Sequence, residues 1–569
     1  MLTSRLMLVA IIVGLGGVCR AQAQLSVSVY ATAGDVQSHL ASTEARTNTL
    51  PMLTRLGVSR VFLEGRRGDE YVDPATLATV RDWLKSHGID CSGGIATVPG
   101  KTFGVRQTGG LDWLDWESEK TRADVSGFFR ENARVFDELI IDDFFCTGDV
   151  SAHADRARAG RSWSAYRRDL LVSLIGPLVH EPARETRQEV RLIMKFPQWY
   201  DRFHVFGYDP ARMAEKFDEV WVGTEVRNPR TRRMGFVQPT QGYVNFMWIR
   251  SIAGDKVRGA WFDHIECSAF NFIDQAYMSV LAGARELTLF RLGDVIAQHP
   301  GDALLAERLP ELIAIAKSIQ NAEPDGVFFY KPPNSDADNN LFLADYLGML
   351  GLPIVPVAAY PDNSRVVFLA AHAASDPDIE SLVKRHLRRG ATVILTPSFL
   401  RKSGRWAQEI SGAVATGLTG LGKFGEDNSA DNSAAVEIDA SLAPTTARIL
   451  SEVDCNGRIV PLLTQRQVGP GQVLVLNIRS FSDTDYRGTG EYLLPPTELG
   501  WTRVPQQVLD PLRATLLRPL GIRLDAPAGV IMCVRGKASF IYNANDEKAM
   551  VRLGSKRLAA EPHRISVLD

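Results

Sequence analysis

The sequence predicts an α/β protein with a (β/α)8 barrel, then a flavodoxin- or amidotransferase-like α/β domain and a small C-terminal antiparallel β domain. Three observations support this prediction. The 569 residues exceed the size of one ordinary domain. Between Leu25 and Asn321, eight β-rich runs alternate with helix-length amphipathic segments, which indicates a parallel sheet. The alternation changes after Pro324.

The barrel prediction depends on the number and spacing of the strands. Eight βα units within residues 24–321 fit a closed barrel better than an open doubly wound sheet. Asp73-Pro74 and Asp209-Pro210 each predict a helix start, with Asp as the cap and Pro in the first turn. The predicted strands are Leu25–Tyr30, Ser59–Glu64, Ile89–Val98, Leu139–Ile141, Arg191–Phe196, Glu219–Gly223, Arg258–Phe262 and Glu286–Arg291.

Two further domains are predicted after the barrel. Residues 324–510 contain strands and helices typical of an open α/β domain, with a Gly-, Asn- and Ser-rich stretch at 412–444 that predicts a long surface loop. This domain lacks a cysteine elbow, so we interpret it as a scaffold. Residues 511–569 contain three strand-like runs and form the small β domain.

The first 23 residues have the pattern of a signal peptide. Arg5 precedes an apolar run, Leu6–Val18, and Ala21-Gln22-Ala23 matches a small-x-small cleavage site. The run is shorter than the ~20 residues that a membrane span needs. We therefore expect a secreted or periplasmic protein with no membrane span after processing.

Composition limits the function classes. A net charge of −2 gives no argument for nucleic acid as a partner. The five cysteines after the predicted signal peptide are sparse and form no CxxC motif, so they predict neither a disulfide framework nor a metal site. Asp263, His264 and Glu266 are a weak metal pattern without support elsewhere. We predict no metal and no cofactor.

Two adjacent carboxylates, Asp142 and Asp143, directly follow the buried run Leu139–Ile141. A solvated turn or a helix cap is the alternative explanation. Consecutive strand residues point to opposite faces, so one of the two acids is expected in the lumen. The parity of Leu139 and Ile141 favours Asp143.

Other chemically active residues follow the remaining strands, and in a barrel these carboxyl ends share one face. Two carboxyl groups with different surroundings can act as an acid and a base in one reaction. Asp263 or Glu225 is the predicted partner of the aspartate pair. Each other residue has a packing or salt-bridge explanation as well. The candidates for substrate binding are Tyr30, Glu64, Lys195, Gln198, Trp199, Tyr200, Arg227, Glu266 and Arg291, with Glu266 also a reserve catalytic acid.

This domain order resembles that of the microbial β-galactosidases that carry a glutamine-amidotransferase-like trimerisation domain. The resemblance implies a glycosidase acting on carbohydrate, and a homotrimer. The catalytic motif after strand four differs from that of these β-galactosidases, because this sequence has Asp142-Asp143 where they have Asn-Glu. An aspartate after strand four also resembles α-galactosidase-type barrels, which would make Glu225 the acid/base.

Two other functions stay open at this point. One is a non-catalytic carbohydrate-binding or assembly protein on a glycosidase-like scaffold, and the other is a barrel hydrolase for another bond. The distances among the carboxyl groups of Asp143, Asp263 and Glu225 distinguish these hypotheses. Separations of roughly 5–5.5 Å indicate a retaining enzyme and roughly 6.5–9.5 Å an inverting one.

Overall fold

The first part of the chain is a closed barrel of eight parallel strands. The computed structural model describes residues 25–109, 111–142, 144–231, 235–424, 435–486 and 493–568. The barrel closes because the first strand pairs with both the second and the eighth. The strands are β1 (Ser26–Ala31), β2 (Val58–Arg67), β3 (Asp90–Ala96), β4 (Glu138–Asp142), β5 (Arg191–Phe196), β6 (Glu219–Gly223), β7 (Val257–Asp263) and β8 (Glu286–Phe290).

Helices surround the barrel and connect its strands. The capping predictions are confirmed: Asp73 accepts hydrogen bonds from the N–H groups of Ala75 and Thr76, and Asp209 accepts one from Arg212. The main helices are α1 (Thr43–Arg55), α2 (Pro74–Ser86), α3 (Glu119–Asn132), α4 (Trp163–Ile175), α5 (Pro210–Lys216), α6 (Thr240–Ala253), α7 (Ala269–Ala282) and α8 (Pro300–Ile319).

A layer of large side chains fills the middle of the barrel lumen, and we call it the aromatic floor. The Trp221 indole needs the space beside Gly259, where a Cβ would lie 1.9 Å from Trp221 Nε1. Below this layer, Arg60 pairs with Glu138 and Glu286. The lumen is therefore a packed core, and the side chains above the floor lie at its carboxyl end. The aromatic floor consists of Tyr30, Phe62, Ile140, Ile193, Trp221 and Trp261.

The second domain is built on a nine-stranded mixed sheet. Its parallel part has the spatial order β10-β9-β11-β12-β17, and the remaining strands continue it in antiparallel fashion. The strands are β9 (Val327–Tyr330), β10 (Ile354–Val357), β11 (Val366–Leu369), β12 (Thr392–Leu395), β13 (Thr419–Lys423), β14 (Ala435–Asp439), β15 (Arg448–Cys455), β16 (Arg458–Val468) and β17 (Gly471–Leu476). The helices are α9 (Leu343–Met349), α10 (Ile379–Arg388), α11 (Pro397–Ser403), α12 (Arg405–Ser411) and α13 (Gln506–Leu517).

The predicted long loop at 412–444 is partly wrong. Strands β13 and β14 lie within it and pair with each other. The glycines that suggested a loop make close packing possible, because a Cβ on Gly420 would lie 2.6 Å from Cys455 Sγ. Residues 425–434 lie outside the described residues.

The C-terminal strands form antiparallel sheets, as predicted. They are β18 (Val530–Arg535), β19 (Ala538–Asn543), β20 (Ala549–Leu553), β21 (Lys556–Ala560) and β22 (Arg564–Leu568). Strand β18 also pairs with Pro324–Asp325, the segment that leaves the barrel.

The structure gives no further information on the predicted signal peptide, because residues 1–24 lie outside the described part of the chain. Within the described residues, the helices are too short or too polar to cross a membrane.

Candidate active site

Lys195 lies at the centre of a buried ionic cluster at the carboxyl end of the barrel. Its ammonium nitrogen is 2.8 Å from Glu225 Oε1 and 3.4 Å from Asp142 Oδ1. The same nitrogen lies 4.6 Å from the centre of the Trp261 ring, which is part of the aromatic floor. Lys195 is 1 % exposed, and Asp142 and Glu225 are each 3 % exposed. One cation thus joins two candidate catalytic carboxylates from β4 and the β6–α6 loop.

The alternation along β4 places Asp142 in the lumen. Ile140 belongs to the aromatic floor, whereas Leu139 and Ile141 pack in the core outside the barrel. The interpretation that the parity of Leu139 and Ile141 marks the lumen is therefore wrong. A central strand has two buried faces, so hydrophobicity alone did not show which face was inner. Asp143 itself lies outside the described residues.

Arg67 gives Asp142 a second cationic partner. Its Nη2 atom lies 2.8 Å from Asp142 Oδ2 and 2.8 Å from Glu64 Oε1. Arg67 was not among the predicted site residues. The register of β2 shifts between Glu64 and Arg66, which turns Arg67 toward the lumen side. Sequence spacing gives no signal for such a bulge.

Glu64 holds Arg67 in place. Its carboxylate accepts hydrogen bonds from Arg67 Nε at 3.0 Å, the Ala33 N–H group at 2.8 Å and the Tyr30 hydroxyl at 2.9 Å. Burial raises the pKa of Glu64 to about 7, although the Arg67 guanidinium acts in the opposite direction. Glu64 and Tyr30 therefore lie at the predicted end of the barrel, where they orient Arg67.

Asp263 is held by an arginine of its own. Arg227 Nε lies 3.1 and 3.0 Å from the two carboxylate oxygens of Asp263, and Arg227 Nη2 lies 2.6 Å from Oδ2. The Ile265 N–H group donates to Oδ1 at 3.1 Å. This bidentate pairing occupies the carboxylate and favours a structural role for Asp263 over a catalytic one.

The Asn245 side chain connects the ends of strands β5 and β6 beside Glu225. The Asn245 side-chain amide donates to the Pro197 and Gly223 carbonyl oxygens, each at 2.8 Å. A Cβ on Gly223 would lie 2.3 Å from Glu225 Oε2 and 2.9 Å from the Gln198 backbone nitrogen. Asn245 was not among the predicted site residues, because it lies within the helix α6 and not after a strand.

The two aromatic residues expected to stack on sugar rings are buried. Trp199 is 3 % exposed and lies parallel to Trp113, with ring centres 6.0 Å apart. Tyr200 is 1 % exposed, and its hydroxyl donates to Asp345 of the second domain at 2.9 Å. Their burial gives no support to a stacking role for either ring.

The last two candidates lie at the surface. Glu266 is exposed and has a positive φ of 58°. Arg291 is also exposed, and its Nε atom lies 3.5 Å from Asp294 Oδ2. Neither residue is part of the ionic cluster around Lys195 among the described contacts.

The cluster has the groups that acid/base and nucleophilic chemistry need. Lys195 Nζ lies 3.4 Å from the Asp142 oxygen and 2.8 Å from the Glu225 oxygen. The separation of these two oxygens therefore cannot exceed the sum of the two distances. Among the contacts of the described residues, Asp142 lies against both Arg67 and Lys195, and Glu225 lies against Lys195. The two carboxylates thus have different electrostatic surroundings, as paired catalytic carboxylates require.

Comparison with known proteins identifies matching families for two parts of the chain. A family model described as "Probable glycosyl hydrolase, catalytic domain" matches residues 17–303. A model described as the second domain of the uncharacterized protein SSO3021 matches residues 324–436. The protein SSO3021 of Saccharolobus solfataricus is 24 % identical over 438 residues, which is 70 % of each chain.

Solved structures of glycosidases share the fold over nearly the whole chain. The β-galactosidase from Rahnella sp. R3 has a TM-score of 0.65 and 11 % identity, over 96 % of this chain and 98 % of its own. The β-galactosidase from Halorubrum lacusprofundi has a TM-score of 0.63 and 15 % identity, over 96 % and 99 %. The α-L-fucosidase isoenzyme 2 from Paenibacillus thiaminolyticus has a TM-score of 0.58 and 11 % identity, over 95 % and 91 %.

At these identities the solved structures show the fold alone, and they confirm the predicted resemblance at that level. The family model is more specific, because it covers half of the chain and includes all eight barrel strands. The chain therefore belongs to the family of probable glycosyl hydrolase catalytic domains, and its class of activity is that of a glycosidase.

Proposed function

We propose that the protein is a retaining glycoside hydrolase in which Asp142 is the nucleophile and Glu225 the acid/base. The single observation that carries this assignment is the shared contact of Lys195 with both carboxylates. Both carboxylates place an oxygen against the same ammonium group, an arrangement that suits the close carboxyl pair of a retaining enzyme.

The roles follow from the charges around each carboxylate. Asp142 contacts both Arg67 and Lys195, and we assign it as the carboxylate that attacks the anomeric carbon and forms a glycosyl-enzyme ester. Glu225 donates a proton to the departing glycosidic oxygen. In the second half of the reaction, Glu225 removes a proton from water, and the water oxygen displaces Asp142 from the sugar.

Three variants, Asp142→Asn, Asp143→Asn and Glu225→Gln, test the assignment. The substrates are a panel of aryl glycosides that includes β-galactosides, α-L-fucosides and β-mannosides. Retention requires that the first product seen by NMR has the anomeric configuration of the substrate. An active Asp142→Asn enzyme beside an inactive Asp143→Asn enzyme would transfer the nucleophile role to Asp143. Sugar binding without hydrolysis by the wild-type protein would instead support the non-catalytic alternative.

Export and assembly are also parts of the proposal. The pattern of residues 1–23 supports export to the periplasm or medium, and N-terminal sequencing of the protein from the producing cells tests it. The domain order shared with β-galactosidases supports a homotrimer. Light scattering of the purified protein measures the assembly, and a monomeric mass would remove the trimer from the proposal.

A further inference from the structure

A buried carboxylate of the barrel inserts into the second domain. Asp201 follows β5 by five residues and is 1 % exposed. Its Oδ1 atom lies 2.9 Å from His372 Nε2 and 3.4 Å from Lys331 Nζ, and its Oδ2 atom accepts the Phe342 N–H group at 2.6 Å. All three partners belong to the second domain. We call Lys331, His372 and the Phe342 N–H group the carboxylate socket.

The carboxylate socket lies where domains of this topology bind ligands. In the parallel part of the sheet, β9 lies between β10 and β11, so the chain changes direction across the sheet at this point. Lys331 directly follows β9, and His372 lies in the turn after β11. The crevice outside the carboxyl ends at such a switch point is the usual ligand site of open α/β sheets. In this chain the barrel's own Asp201 occupies the crevice.

The charges within the socket are balanced, although they are buried. Burial opposes ionisation of Asp201, but His372 and Lys331 lower its pKa to about 2. Burial lowers the pKa of His372, so the neutral ring donates its Nε2 hydrogen to the carboxylate. The Lys331 ammonium lies 4.2 Å from the centre of the Trp248 ring of α6. Buried ion pairs of this kind are weak stabilisers but can specify one orientation of their partners.

A short segment connects the socket to the candidate active site. The segment consists of residues 197–201. At its start, the Pro197 carbonyl oxygen accepts a hydrogen bond from the Asn245 side-chain amide, which also donates to the Gly223 carbonyl oxygen. The backbone of Gln198 packs against Gly223, beside the Glu225 carboxylate. The segment ends at Asp201 in the socket. It is thus fixed at one end by the barrel and at the other by the second domain.

We propose that the carboxylate socket is a positioning site: by holding Asp201, the second domain fixes segment 197–201 against Glu225 and so supports the rate of the proposed reaction. The effect on the rate rests on the proposed function, whereas the effect on the segment does not. Asp201 is a positioning residue here, because it acts through Gln198 and Glu225 and not by contact with the sugar.

Hydrogen exchange of the full-length protein tests the positioning directly. In Asp201→Asn and His372→Leu, exchange of peptides covering 197–206 is expected to accelerate about tenfold or more, with β4 and β5 unchanged. His372→Gln keeps a side-chain N–H donor and is expected to exchange like the wild type. Asp483→Asn removes a surface contact of the neighbouring Arg202 and is the matched control. Unchanged exchange in segment 197–206, or equal acceleration throughout the protein, would overturn the proposal.

Kinetics test the consequence for the reaction. With the best aryl glycoside of the panel, Asp201→Asn and His372→Leu are expected to lower kcat about tenfold and to change KM less than threefold. His372→Gln and Asp483→Asn are expected to leave both constants near the wild-type values. An unchanged kcat in Asp201→Asn would refute the link to the acid/base. If the wild type hydrolyses no glycoside, the proposed function fails, and the exchange result still decides whether the socket positions the segment.

Discussion

Lys195 and Glu225 are in direct contact, with 2.8 Å between Lys195 Nζ and Glu225 Oε1. The two residues come from different strands, β5 and the end of β6. Their contact is possible because both the strand order of the barrel and the Asn245 bridge bring Pro197 and Gly223 together. The same lysine reaches Asp142, so the whole proposed reaction centre depends on one ammonium group.

Replacement of this lysine tests that dependence. Lys195→Met leaves two buried carboxylates with less compensating charge, so we expect a loss of about 3–5 kcal/mol in the free energy of unfolding. Urea denaturation measures the loss. Lys317→Met alters an exposed lysine of α8 and is the control. A stability equal to that of the control would show that the cluster does not need the ammonium group.

Asp142 and Asp263 each contact an arginine, but the two aspartates are expected to differ in catalysis. Asp142→Asn removes the proposed nucleophile, so kcat should fall by roughly 10³-fold or more, and Glu225→Gln should lower it by about 10²–10⁴-fold. Asp263→Asn weakens the pairing with Arg227 but removes no reacting group, so its kcat should stay within about tenfold of the wild type. Steady-state kinetics of the three variants gives the order, and a larger loss for Asp263→Asn would transfer the catalytic role to Asp263.

A methyl group at Gly223 should disturb the acid/base directly. In Gly223→Ala the Cβ would meet Glu225 Oε2 at 2.3 Å, so the carboxylate must move away from Lys195. We expect kcat to fall about a hundredfold, since small misplacements of catalytic groups are costly. Gly127→Ala, on α3, has open space around its Cβ and should gain up to about 1 kcal/mol without a change in activity. Activity equal in the two variants would contradict the position of Glu225.

Loss of the Asn245 bridge should affect rate and stability together. Asn245→Ala leaves the Pro197 and Gly223 carbonyls without this donor, which costs about 1–3 kcal/mol in the free energy of unfolding. Because Lys195 and Glu225 lie on the two strands that the bridge connects, we also expect kcat to fall about tenfold. Thermal unfolding and kinetics on the same preparation measure the two effects. A loss of stability with kcat unchanged would limit Asn245 to a packing role.

The buried carboxylate of Asp201 predicts a distinct response to acid. Its pKa is about 2 in the folded protein and about 4 in an unfolded chain, so the folded state binds its proton less readily. The resulting stability, about 2 kcal/mol, is complete above about pH 4 and is lost as the pH falls toward 2. Denaturant titrations between pH 5 and 2 should show this loss in the wild type and a shallower one in Asp201→Asn. Identical slopes would refute the lowered pKa.

The sequence predicted the barrel well because its signals are local. Asp73 and Asp209 cap helices where proline follows them, and each predicted barrel strand overlaps an observed one. Which face of a strand points into the barrel lumen is harder to predict from the sequence. Both faces of β4 are apolar, so Leu139, Ile140 and Ile141 gave no basis for choosing between Asp142 and its neighbour.

The positions of Arg67 and Asn245 could not be predicted from pattern. Arg67 enters the cluster only because β2 contains a register shift, and shifts of this kind depend on the neighbouring strand. Asn245 acts from the middle of a helix, where an asparagine usually has no special role. Likewise, Tyr200 followed a strand as a binding residue would, but its partner Asp345 is 145 positions away in sequence.

The aromatic floor affects how small molecules reach and leave the proposed catalytic carboxylates. Its buried side chains fill the lumen beneath Asp142 and Lys195, so among the described residues a packed layer separates these two groups from the amino end of the barrel. In the proposed reaction, the departing alcohol and the incoming water therefore share the carboxyl end of the barrel as their route. An added alcohol that enters by this route competes with water for the bound sugar. This competition favours transfer of the glycosyl group to the alcohol.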